Sequence, residues 1–167
     1  MRHEQGFTLL ELICVLAILS ILGAFGATSL FSTQQDSKDK ATLLSDVKNL
    51  ANALQQARHL AIESGSSSYV CGGINCSGNW SDGFEVRQSS ALDTTYRSVL
   101  LDHAVHIIWH GFPANKSSIT FLPTGLSNYQ NGTFFLCYLS WKTSIIINQS
   151  GRYYTSDIVD IDGESCG

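Results

Sequence analysis

A single acid interrupts the first apolar stretch of this chain, and it stands four residues beyond phenylalanine in Gly6-Phe7-Thr8-Leu9-Leu10-Glu11. The residues that follow, Leu12 to Phe31, give about the 20 predominantly apolar positions that a helix needs to cross bilayer hydrocarbon. A carboxylate in such a segment costs about 2.5 to 3.5 kcal/mol at the helix centre and less near an interface, so it calls for a partner. A cut after Gly6 would place a new α-amino group on Phe7, roughly one helical turn before Glu11. The chemistry offered is neutralisation of an ammonium by a carboxylate, within one chain or between neighbours.

Behind the short polar leader Met1 to Gly6, with its Arg2 and His3, this motif resembles a class III, or type IV prepilin, signal. The resemblance implies that a membrane prepilin peptidase cuts after Gly6 and N-methylates Phe7, and that Glu11 serves assembly. A Sec signal peptide also has a basic start and an apolar core, but it ends in an A-x-A-like site. Ala24-Phe25-Gly26-Ala27 matches that poorly.

The motif must sit on a helix, and the sequence continues one. After Phe31 the chain turns polar without a proline, and Leu43, Val47, Leu50, Leu54, Ala57 and Ala61 then recur at spacings of four and three, one apolar stripe. Asp46, Lys48, Asn49, Gln55 and Arg58 read as its solvated face. Ser64-Gly65 supplies the stop. The expected organisation is a leader over 1–6, a membrane or fibre-core helix over 7–31, its amphipathic continuation over 32–64, and a β-rich head over 65–167.

Within the head, short strand-like runs alternate with turn residues. The expected strands are Ser68 to Cys71, Gly83 to Gln88, Arg97 to Leu101, Val105 to Trp109, Ser118 to Leu122, Thr133 to Leu139, Thr143 to Asn148 and Arg152 to Thr155. Asn131-Gly132 is the strongest hairpin signal.

The 167 residues, less a membrane helix, suit one domain with a core of its own. A net charge of −4 gives no long-range pull toward polyanions. Cys14 lies in the apolar helix, and Cys71, Cys76, Cys137 and Cys166 lie beyond it. Outside the cytoplasm these four would pair, with three connectivities open; short spacing makes Cys71 and Cys76 natural partners and leaves Cys137 with Cys166. A four-cysteine zinc site would want a close pair at both ends, which Cys137 and Cys166 do not provide. His103, His106 and His110 flank one expected strand, and His106 and His110 share a face only if that strand runs on through Gly111. No G-x-S-x-G, H-E-x-x-H or Walker-type glycine loop occurs, so neither catalytic residues nor a cofactor or metal is expected.

A second resemblance spans nearly the whole chain. Ala57-Arg58-His59-Leu60-Ala61-Ile62, Trp80-Ser81-Asp82-Gly83-Phe84, Ile119-Thr120-Phe121-Leu122-Pro123-Thr124-Gly125, Gly132-Thr133-Phe134-Phe135-Leu136-Cys137 and Ser150-Gly151-Arg152, in that order, are similar to the GspH/FimT family of minor pilins and type II secretion pseudopilins. It implies an α+β fold, a long N-terminal helix packed on a β-sandwich-like antiparallel head. It also implies a single-pass inner-membrane precursor with its head in the periplasm, which joins other pilins in a fibre. DNA-binding members of the family resemble Gly-Arg-x-Arg near the C-terminus, where two arginines could contact phosphates. Here Gly151-Arg152-Tyr153-Tyr154 keeps only Arg152, and acids follow it. DNA uptake is therefore the alternative to a structural role.

Overall fold

The computed structural model describes residues 8–89, 94–114, 116–161, 163, 165 and 166, with side chains outside 22–33. Gly6 and Phe7 lie outside the described residues. One helix, α1, runs Leu9–Ser64, and Gly65, at φ 65°, takes the left-handed conformation that ends it. The chain forms two compact units, Met1–Lys38 and Asp39–Gly167.

In the second unit the stripe Leu43, Val47, Leu50, Leu54, Ala57 and Ala61 is buried throughout. It shares one core with the inward side chains of two antiparallel sheets. The first sheet has the order β3 (Thr94–Leu100), β2 (Gly83–Gln88), β1 (Ser68–Gly72), β5 (Ser118–Phe121). It contributes Val70, Phe84, Val86, Ile119 and Phe121. The second has the order β4 (His106–Phe112), β6 (Asn131–Tyr138), β7 (Trp141–Ile147), β8 (Tyr153–Thr155), and β9 (Val159–Asp160) also pairs with β7. It contributes Ile107, Trp109, Phe134, Leu136, Ile145 and Ile147 at the two-residue period of strands with one face buried. Each such side chain stabilises the fold by about 1.5–3 kcal/mol relative to leaving it exposed.

Two expectations are corrected. Asn131-Gly132 is not a hairpin turn but the first pair of residues in β6. Gly132 faces Gly111 of β4, and a Cβ on either would come within 2.7 Å of the Trp109 ring. The glycines are there because Trp109 lies over them. The tight hairpin instead joins β6 to β7 through Leu139 and Ser140, between the paired Tyr138 and Trp141. Leu139 adopts φ 53°, unusual for such a side chain, and so carries no sequence signal of a turn.

The face of α1 expected to be solvated is solvated only in part. Asp46 is buried and Arg58 is half-buried, each with a partner far along the chain.

Candidate functional site

At the start of α1, Thr8 accepts hydrogen bonds from the Glu11 amide on both its backbone oxygen (3.1 Å) and its Oγ1 (3.3 Å). Thr8-Leu9-Leu10-Glu11 is thus an S/T-x-x-E capping pattern that fixes the helix start. The Glu11 side chain stays exposed. Every Leu, Ile and Val from Leu9 to Ile21 is exposed as well, and they cover all sides of the helix. Among the described residues no helix is long and apolar enough to cross a membrane, and residues 22–31 of the apolar run fall outside the described side chains. From Glu11 onward every third residue is small or polar, namely Cys14, Ala17 and Ser20, with Gly23 and Gly26 continuing the series in sequence. Such residues let helix backbones approach closely. That period was legible in the sequence and is the signal that a reading centred on Glu11 alone passes over.

In the head, three sequence motifs meet. Arg58 of α1 donates from Nε to the Gly125 oxygen at 2.9 Å. Gly151, at φ 74°, packs on the same carbonyl: a Cβ there would lie 2.2 Å from the Gly125 oxygen. Glycine is required at 151 for packing, whatever Arg152 does. The exposed Arg152 lines a cleft with Gln55, Arg58, Tyr153 and Tyr154. Tyr153 turns toward α1, its hydroxyl 3.3 Å from Gln55 Oε1, whereas Tyr154 lies across from Ile146 on the outer sheet face. The two rings therefore do not form one stacking platform.

The histidines separate. His106 and His110 lie with Ile108 on the outer face of β4, which does run through Gly111. His103 precedes the strand and bridges two acids, with Nε2 2.6 Å from Asp46 Oδ2 and Nδ1 3.1 Å from Asp102 Oδ1. Its ring meets Tyr138 edge-on. Burial works against the charged imidazole, but hydrogen bonds and charges from Asp46 and Asp102 outweigh it, so His103 titrates above its ordinary value. Burial pushes the Asp46 carboxyl up, and His103 offsets only part of this. The hydrogen bond from His103 holds the exposed Asp102 below the usual carboxylate range.

Cysteine pairs join Cys71 to Cys76 and Cys137 to Cys166, and Cys14 is free. Glu85 lies beside the first pair, the one cluster of possible metal ligands among the described residues. Both sulfurs are in the disulfide, and Glu85 Oε2 is held by Arg87 Nε at 2.9 Å and by its terminal nitrogen at 2.8 Å. The donors of this cluster are already engaged and do not suit a cation.

Against known families, residues 46–151 match the one described as type II transport protein GspH. The chain belongs to the GspH family. This is a family of structural pilin-like subunits, not of enzymes. Residues 1–27 match the prokaryotic N-terminal methylation motif. Two crystal forms of the type IV minor pilin FimU of Pseudomonas aeruginosa PAO1 are similar in structure. One has TM-score 0.54 at 17% identity, covering 68% of this chain and 92% of that one. The other has TM-score 0.56 at 15% identity, covering 74% and 91%. At such identity the likeness speaks for the fold alone. No curated protein sequence matches the chain.

The His103 bridge has a pH signature. A raised histidine pKa means stabilisation that is complete below the unfolded value and lost as pH rises through the folded one. The melting-temperature advantage of the wild type over His103→Gln is expected to be greatest near pH 6 and to shrink by about pH 9. An advantage that grows with pH would show that the bridge does not bind the protonated ring.

Proposed function

We propose that this chain is a minor pilin or pseudopilin that helps to initiate and build a type IV pilus or a type II secretion pseudopilus. The observation that carries this reading is the exposed, all-round apolar surface of α1 from Leu9 to Ile21, with Glu11 at its head. A helix apolar on every side needs lipid or other helices around it. In this reading the precursor sits in the inner membrane with its head in the periplasm. Prepilin peptidase removes Met1 to Gly6 and methylates Phe7. The helix then leaves the bilayer for a bundle of sister helices, and Glu11 meets the Phe7 amine of a neighbour.

A desolvated carboxylate without a partner is far more costly than a hydrogen-bonded pair. Only the register that brings amine and acid together is therefore tolerated in the bundle. The small residues at every third position after Glu11 support close helix approach. Glu11→Ala is expected to leave cleavage after Gly6 intact while the chain disappears from isolated fibres, read by immunoblot of membrane and fibre fractions. Wild-type amounts of the variant in fibres would remove Glu11 from the assembly step.

One observation favours a second reading, DNA binding for uptake: Arg58 and Arg152 line one cleft, so two guanidinium groups are present although Tyr154 replaces the motif's second arginine. Arg58 Nε is already engaged by Gly125, which leaves Arg152 as the freer phosphate ligand. Under this reading the chain retains double-stranded DNA at low salt, loses it steeply as salt rises, and loses it at all salts with Arg152→Ala. No retention at low salt removes the uptake role.

A further inference from the structure

The two sheets end in four principal edges, β3, β5, β4 and β8. An edge strand presents unpaired backbone groups, and proteins blunt this with short strands, bulges or charges. β5 has four residues and β8 has three. β3 carries Arg97, and its pairing with β2 shifts register between Val86 and Arg87. β4 has none of these devices. Its seven residues, His106-Ile107-Ile108-Trp109-His110-Gly111-Phe112, hold seven consecutive pairs with β6 and contain no Asp, Glu, Lys, Arg or Pro.

The direction of its backbone groups follows from one contact. The Ile107 amide donates to Ser81 Oγ at 3.0 Å, so it points away from β6. In an antiparallel pair such outward positions alternate, which places Trp109 and Gly111 outward too. The Gly111–Gly132 pair agrees: a Cβ on either would come within 2.6 Å of the other's Cα, the close approach of a pair that does not exchange hydrogen bonds. Among the described residues nothing else bonds the Trp109 or Gly111 backbone. Ser81 covers the Ile107 end; Ile107 to Trp109 line a cleft with Trp80 and Lys116, and the outward backbone groups of Trp109 and Gly111 are the unpaired part of the edge.

We propose that this edge pairs with β4 of a second copy of the chain, antiparallel about a two-fold axis at His110. The register is selected by the backbone groups. Centred on His110, Trp109 of each copy exchanges both of its hydrogen bonds with Gly111 of the other, and Ile107 keeps Ser81. Centred on Trp109, the pairing would set Ile107 against Gly111 and take the Ile107 amide from Ser81. Centred on Gly111, it would set Trp109 against Pro113, which has no N–H.

The side chains fit the same register. Ile108, 36% exposed, would lie across from Phe112, 67% exposed, at both ends of the pairing, which covers the two apolar side chains that β4 leaves in water. Trp109, already buried inward, would face glycine, so no side chain collides on the inner face. β4 ends at Phe112, so the second copy's chain leaves the ladder before it reaches the cover over Ile107. The proposal rests on the head alone and stands apart from the role of Glu11.

The test uses the full-length chain in mild detergent, with Cys14→Ser to remove the free thiol. His110→Cys is expected to form a disulfide-linked dimer under mild oxidation, because it faces itself across the axis. Ile108→Cys and Phe112→Cys are each expected to stay monomeric alone and to link when mixed. Adding Ile108→Lys to the His110→Cys chain is expected to abolish its dimer band while circular dichroism stays unchanged. Three results would each overturn the proposal: a His110→Cys chain that stays monomeric, an Ile108→Cys chain that links to itself as readily, or a mixture that fails to link.

Discussion

One helix carries two apolar surfaces that call for different partners. From Leu43 to Ala61 the apolar side chains form a stripe that two sheets cover completely. From Leu9 to Ile21 they cover every side, and among the described residues nothing covers them. The first surface explains why residues 39–167 form a unit of their own, since every core side chain lies within it. The second explains why the fold alone does not complete the molecule. Exposed apolar area on that scale belongs in lipid or against other chains, and a carboxylate at its head is costly in such surroundings without a partner.

The polar contacts of the head make the helix-to-sheet arrangement specific rather than merely apolar. His103 ties Asp46 of α1 to the segment before β4, and Arg58 ties α1 to Gly125, against which Gly151 is packed. Each is a buried or half-buried polar group that would be costly without its partner. These contacts give a packing explanation for Arg58, Gly125 and Gly151, three of the residues through which the chain resembles its family. The Gly151-Arg152 motif therefore does not by itself speak for DNA.

The parts legible in the sequence are those set by local periodicity. The stripe on α1 and the alternation in β4, β6 and β7 follow from spacings of three, four and two. What was not legible depends on partners far away along the chain. Asp46 looked solvated because His103 is 57 residues downstream, and Arg58 because Gly125 is 67 residues downstream. Asn131-Gly132 looked like a turn because glycine is ambiguous without Trp109, whose ring demands it. The capping role of Thr8 is written in the spacing Thr8-x-x-Glu11, and Glu11 contributes to it through its backbone amide, independently of its charge.

A fibre-core role for the apolar start of α1 needs an ammonium group one turn before Glu11, which cleavage after Gly6 would supply on Phe7. The decisive measurement is mass spectrometry of the N-terminus of the chain purified from cells that hold prepilin peptidase. A mature chain beginning at N-methylated Phe7 is expected. A chain that still begins at Met1, or one cut at another position, would contradict it.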